Sequence, residues 1–184
     1  ESNDYVGGHT HTHEIVLTGK KWAVDTGFIV YNERTYPNFI KLLDQLKVER
    51  QLTSMGFSVK SSQKDLEYAG NSINTLFAQR SNILRPSFIR MLRSILRFNS
   101  EAENHLDNLD EFVTLGHYLS LYNYPEEFIN DFIIPMGAAI WSTKPVNMMK
   151  MPAIFFIQFF RNHGLLAVKN RPNWWVIKGG SKCY

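Results

Sequence analysis

The chain has 184 residues, 44% of them hydrophobic and 14% aromatic, with a formal net charge of +3. That length and composition support a sizeable core with room for a small second lobe and exclude a disordered chain. The slight basicity makes no case for nucleic acid, and the single cysteine, Cys183, excludes an internal disulfide and any cysteine-based zinc site.

Taken in chain order, the first feature is Gly7-Gly8 followed by His9, His11 and His13 at alternate positions. On a strand those histidines share a face, about 6–7 Å apart, a spacing that suits zinc or copper. No acidic or further histidine ligand is fixed beside them, so a polar strand face is the expectation and no metal is assigned. The alternation of His9–Leu17 predicts a strand, Thr18-Gly19-Lys20-Lys21 a turn and Trp22-Ala23-Val24 the returning strand. A helix is expected over Thr35–Leu46, capped by Thr35, with Pro37 in its first turn and Phe39, Leu42, Leu43 and Leu46 as its apolar stripe. Strands are expected over Gln51–Lys60 and Asp65–Ala69, around the polar turn Ser61-Ser62-Gln63-Lys64.

Beyond Gly70 the pattern turns helical, over Ile73–Gln79, Pro86–Phe98, Thr114–Leu121, Pro125–Ile133 and Ala153–Asn162, before a late strand at Trp174-Trp175-Val176-Ile177. Strands in the first part and helices in the second predict an α+β fold, with a mixed or antiparallel sheet preceding a helical region. The longest apolar runs, Met151–Phe160 and Phe132–Trp141, fall well short of the roughly 20 residues a membrane-spanning helix needs. No leader-like segment is evident, so the expected location is cytoplasmic or peripheral to the inner membrane.

Several stretches carry a resemblance. Glu1 followed by Gly7-Gly8-His9 resembles the acid and glycine-pair segment after the second strand of the flavin-containing amine oxidase superfamily. Asp25-Thr26-Gly27-Phe28 resembles that family's Asp-x-Gly segment. Together with Phe28-Ile29-Val30-Tyr31-Asn32, Pro135-Met136-Gly137-Ala138-Ala139-Ile140-Trp141-Ser142 and Asn162-His163-Gly164-Leu165-Leu166, they resemble a bacterial NAD/FAD-binding branch over nearly the whole chain.

The resemblance implies FAD as cofactor, with Glu1 at the adenosine ribose and Gly7, Gly8, His9, Thr10, Asp25, Gly27 and Phe28 as its contacts. His9 would replace an arginine common elsewhere in the family. It also implies hydride transfer from a small-molecule or lipid substrate to flavin, as an amine oxidase or, alternatively, as a desaturase of a lipid acyl chain. The family's G-x-G-x-x-G turn does not occur in these residues. That turn supplies most of a pyrophosphate site, so this stretch by itself is expected to bind FAD poorly and to be an inactive internal segment of a longer enzyme. The implied organisation is a partial FAD-binding region over 1–34, a substrate-binding domain over 35–175 and a return strand over 176–184.

Within the helical region, Trp141 follows the small residues Gly137, Ala138 and Ala139, and with Ser142 is the expected wall of a substrate pocket. His163 is either a polar pocket group or a helix C-terminal histidine facing the dipole. Phe155, Phe156, Phe159 and Phe160 wrap more than one side of their helix, as core filling or as a cavity wall. No aspartate or glutamate lies between Gly70 and Ser100, where five arginines do. Arg90, Arg93 and Arg97 share a helix face that is either an ordinary solvated surface or a contact with an anionic membrane in a non-enzymatic module. Cys183 has no evident base, no G-x-S-x-G elbow occurs, and no catalytic acid, base or nucleophile is assigned.

Overall fold

The computed structural model describes residues 2, 4–167 and 171–184. Short antiparallel strands come first, helices follow and one strand returns near the end, so the fold is α+β as expected. The chain divides into two compact units, residues 1–55 with 172–184, and residues 56–171. The first division therefore falls about twenty residues later than the expected boundary at 34/35, for a packing reason.

In the first unit, β1 (Thr12–Leu17) and β2 (Lys20–Asp25) pair from Thr12↔Asp25 to Leu17↔Lys20. Their turn is only Thr18-Gly19, both at positive φ (50° and 76°), the geometry whose twist matches that of a hairpin. A second sheet runs in the order β3 (Tyr31–Asn32), β7 (Trp174–Ile177), β4 (Arg50–Thr53), antiparallel throughout. Helix α1 (Pro37–Gln45) belongs with it because Leu43 and Phe39 pack with Tyr31 and Ile177 in one apolar cluster. Thr35 is not the cap of α1. Tyr36 holds that position, without a side-chain cap bond. Thr35 instead donates its N–H (2.9 Å) and hydroxyl (3.1 Å) to the Oδ1 of buried Asn32. Asn32 also accepts from the Arg34 N–H, an asparagine-led turn that leaves Thr35 outside the helix.

The expected strand over Gln51–Lys60 is two strands in different units. β4 ends at Thr53, and β5 (Ser58–Ser61) pairs with β6 (Leu66–Ala69) in a separate hairpin. Gly56 lies at the break, where an added Cβ would stand 2.7 Å from the Asn71 side chain.

The second unit has two joined cores. Val59, Leu66 and Tyr68 of the hairpin pack on Phe88 and Met91, both from α3 (Pro86–His105). Phe98 and Ala102 continue the same buried stripe, which is why α3 runs well past the expected end at Phe98. They enter the larger core with α4 (Leu115–Leu121) and α8 (Ala153–Asn162). Helix α2 is the single turn Ile73–Leu76, fixed by a Ser72/Thr75 capping box. α7 (Pro145–Lys150) has no counterpart among the expected helices.

The helix expected to stop at Ile133 does not stop. α5 (Glu126–Phe128), a π-helical turn over Ile129–Ile133 and α6 (Ile134–Trp141) follow without a break. Pro135 has no N–H to give the Asp131 carbonyl four residues back. The Tyr68 hydroxyl donates to that carbonyl instead, at 2.6 Å. Burial, and then the Asp131 carboxylate, push the Tyr68 phenol up, so it stays protonated and keeps donating. The local backbone is wide at the π turn, and the orphaned carbonyl there is supplied by a strand.

Candidate functional site

Of the residues that the resemblance assigned to the cofactor, Gly7, Gly8, His9, Thr10, Asp25 and Gly27 lie in the first unit at the open end of the β1/β2 hairpin. Gly7 and Gly8 take positive φ values of 120° and 55°, and the Thr10 N–H closes a turn onto the Gly7 carbonyl at 2.8 Å. A Cβ on Gly7 would lie 2.6 Å from the Thr10 carbonyl oxygen, so a side chain there would break the turn. Gly27 is more tightly constrained. Its Cβ would stand 1.5 Å from the His9 carbonyl oxygen. The adjoining Thr26 N–H donates to the His11 carbonyl at 3.0 Å, so the ladder continues beyond β1 and presses the two segments together.

The third component is the chain's last segment. Asp25 Oδ1 accepts from the Thr12 hydroxyl (2.5 Å), the Ser181 hydroxyl (2.8 Å) and the Ser181 N–H (2.9 Å). The Lys182 N–H donates to Thr12 Oγ1 at 2.9 Å, and Lys182 also pairs with Glu14. Gly180 passes so close that a Cβ would reach 2.5 Å from the Thr12 methyl carbon. Thr10 Oγ1 and the Tyr184 hydroxyl lie 3.3 Å apart. Partial burial alone would raise the Asp25 pKa; the bonds from Thr12 and Ser181 outweigh it and hold the carboxyl below its usual range.

The sign for stability follows from that depression. Stability contributed by this junction is fully present above the unfolded aspartate value and is lost as pH falls through the lower, folded one. Asp25→Ala is expected to cost about 2 kcal/mol at neutral pH and to flatten the acid limb of a pH-dependent melting profile. An unchanged acid limb would show that the junction carries no such linkage.

The predicted residues divide by what they have left to offer. Asp25 Oδ1 already accepts from Thr12 and Ser181, and the partly buried Phe28 packs edge-on against Phe39 at 5.3 Å beside the small core. The Gly8 and His9 N–H groups donate to no acceptor among the described residues. Glu1 lies outside the described residues. The histidines do not form one ligand set: the His11 ring contacts those of His13 (4.2 Å) and Tyr5 (4.7 Å), and His9 makes no such contact. No group of three His, Cys, Asp or Glu residues able to hold a metal occurs among the described residues.

In the second unit, two of the three pocket residues meet on one ring. Phe159 lies 4.8 Å from Trp141 and stacks at 3.9 Å on His163, whose Nδ1 is 2.9 Å from the Phe159 carbonyl. A carbonyl only accepts, so that nitrogen carries the proton. Ser142 is apart from this contact, as the exposed left-handed residue ending α6. Phe156 and Phe160 are buried and Phe155 is exposed, so the four phenylalanines divide between core and surface.

The basic stripe on α3 is not a free face. Arg90 pairs with Glu127, whose pKa that hydrogen bond lowers. Arg97 lies 4.1 Å over the Tyr124 ring, donates to the Tyr122 carbonyl and pairs with Glu101 at 3.3 Å. Of the three, only Arg93 is an unpaired exposed cation.

Sequence patterns did not point to Gly180, Ser181 or Tyr184. They also missed a groove of about 450 Å³ in the second unit, between Lys64, Arg85, Glu127 and Asp131 over Leu66, Phe88 and Met91. Three separate segments build it, so no local spacing announces it. No helix among the described residues is long and apolar enough to cross a membrane. No protein-family model matches the chain, and no curated protein is significantly similar to it.

Proposed function

We propose that this chain forms part of an FAD-dependent oxidoreductase of the amine oxidase type. In it Gly7, Gly8, His9 and Thr10 would face the cofactor's pyrophosphate, and the helical unit would face the substrate. The observation that carries the reading is the pair of unengaged backbone N–H groups at Gly8 and His9. Gly7 and Gly8 take positive φ there, and neither glycine carries a side chain to keep an anion away. Successive N–H groups in such a turn form a concavity suited to a phosphate oxygen.

The fit is partial. Asp25 would hold the turn in place through its bonds with Thr12 and Ser181, in addition to the contact implied by resemblance. The flavin, when bound, supplies the hydride acceptor, and the protein contributes orientation and exclusion of water. The Trp141, Phe159 and His163 surface offers flat apolar area with a polar edge, suited to a small amine or to a lipid chain.

The test is made on the protein as its gene encodes it. Purified without added cofactor, it is expected to be yellow, to release FAD on denaturation and to bleach anaerobically with an amine or a saturated lipid substrate. Gly8→Val is expected to remove the flavin while the far-ultraviolet circular dichroism is retained. A colourless protein that takes up no FAD, or a Gly8→Val variant with unchanged flavin content, overturns the proposal.

A further inference from the structure

The geometry points to a docking surface for an anionic lipid bilayer on the turn that leads into α3. Arg80–Leu84 is a 3-10 turn, so its five residues span about 10 Å. It is pinned from one side: Asn82 is buried and donates its amide to the Glu67 carbonyl at 3.1 Å. With Asn82 turned inward, its neighbours face out. Leu84 is 87% exposed and Ile83 52%, and Ile73 on the adjoining α2 is 79% exposed. Three large aliphatic side chains so exposed between residues 73 and 84 are not the scattered exposure usual on a folded chain.

Arginines border them, and Arg80, Arg85 and Arg93 form no ion pair among the described residues. Arg80 donates to the Phe77 carbonyl at 3.0 Å and the Asn74 amide oxygen at 2.6 Å, which fixes it across the α2 connection without neutralising it. Arg85 donates to the Asp65 carbonyl at 2.9 Å, again a neutral acceptor. Arg93 is exposed a little further along α3. The acids that share the adjoining groove with Arg85, Glu127 and Asp131, are already paired with Arg90 and Lys64. Between Gly70 and Ser100 the chain carries no acidic residue at all.

Aliphatic tips flanked by cations match an anionic bilayer, whose headgroup layer attracts arginine and whose interior accepts Ile83 and Leu84. A nucleic acid would use the arginines and leave the aliphatic groups in water. The surface differs from the stripe expected at Arg90, Arg93 and Arg97, because Arg90 and Arg97 have partners within their own unit. It stands independently of the flavin proposal.

Vesicle sedimentation of the full protein tests it, with phosphatidylcholine vesicles that contain or lack phosphatidylserine. Binding is expected only with phosphatidylserine, and is expected to weaken as salt rises. Leu84→Glu should lower the partition constant about tenfold or more, and Arg80→Gln about fivefold. Phe112→Ser, a control at an aromatic that is 83% exposed elsewhere in the unit, should leave it unchanged. Circular dichroism confirms the fold of each variant, and Leu84 is exposed enough for its replacement to be tolerated. The inference is overturned by absence of binding at low salt, by equal binding to vesicles without phosphatidylserine, or by loss of binding in Phe112→Ser. It is equally overturned if Leu84→Glu binds as wild type, including the case in which a single-stranded RNA binds wild type and Leu84→Glu alike.

Discussion

Phe98→Ala is expected to cost about 3–5 kcal/mol, a large fraction of the roughly 5–15 kcal/mol that holds a domain folded. Phe98 is fully buried, and its ring lies among five other aromatic rings: Phe128 at 5.6 Å, Tyr124 at 5.8 Å, Phe160 at 6.2 Å, Phe156 at 6.3 Å and Tyr118 at 6.4 Å. Those rings come from α4, α5, α8 and the loop before α5, so one side chain of α3 joins most of the helical unit. Rigid rings on all sides cannot collapse into the space left behind, which places the cost towards the top of its range. Phe98→Leu, which keeps most of the volume, should cost about 1–2 kcal/mol, and Phe112→Ala on the surface less than about 0.5 kcal/mol. Urea unfolding followed by far-ultraviolet circular dichroism gives all three. A Phe98→Ala loss no larger than that of Phe112→Ala would mean that the helices are held together by something other than this aromatic centre.

That centre was only half legible in the sequence. The helix expected from Pro86 begins where α3 does, and Ala153–Asn162 is found with its expected bounds. What periodicity does not carry is a partner from a distant segment. Pro135 reads locally as the end of a helix, because it removes a donor and crowds the preceding turn. The helix continues because Tyr68, 63 residues away from Asp131, donates to the carbonyl that Pro135 leaves free. The break within Gln51–Lys60 failed for a related reason. An alternating apolar pattern shows that residues suit a strand, and says nothing of which sheet receives them.

The candidate site shows the same division. The glycines at 7, 8 and 27 mark places where backbone conformation or approach forbids a Cβ, and such places are visible as residue types. Asp25 was visible too, but its use was not. Its hydroxyl and amide donors come from Thr12 and from Ser181, 156 residues along the chain, and a carboxylate in a turn reads alike whether it meets a ligand or a returning chain end. Arg97 was legible as a basic helix residue, but its place over the Tyr124 ring was not, since that ring comes from another helix connection.

Gly27→Ala is expected to cost about 3–4 kcal/mol, more than any ordinary glycine replacement, and to act on the site before it acts on the fold. The new methyl would occupy the place of the His9 carbonyl, 1.5 Å away, and backbone cannot swing aside as the end of a long side chain can. The Gly7–His11 segment must therefore separate from Thr26 and lose the Thr26–His11 hydrogen bond, which undoes the turn that presents the Gly8 and His9 N–H groups. Gly19→Ala is the matched comparison. Gly19 has a positive φ of 76° but nothing within 4 Å of a Cβ, so only conformational strain remains, about 1 kcal/mol. Amide hydrogen exchange separates the two outcomes. Gly27→Ala should lose protection at Thr10 and Thr26 while Leu43 and Ile177, in the small core of the same unit, keep theirs. If both glycine variants lose protection equally, the close approach at His9 is not what holds the site together. If Gly27→Ala leaves Thr10 and Thr26 protected, the two segments are held by the Asp25 junction alone, and the turn at Gly7-Gly8 would then be set by Thr12 and Ser181 and not by its own contact with Gly27.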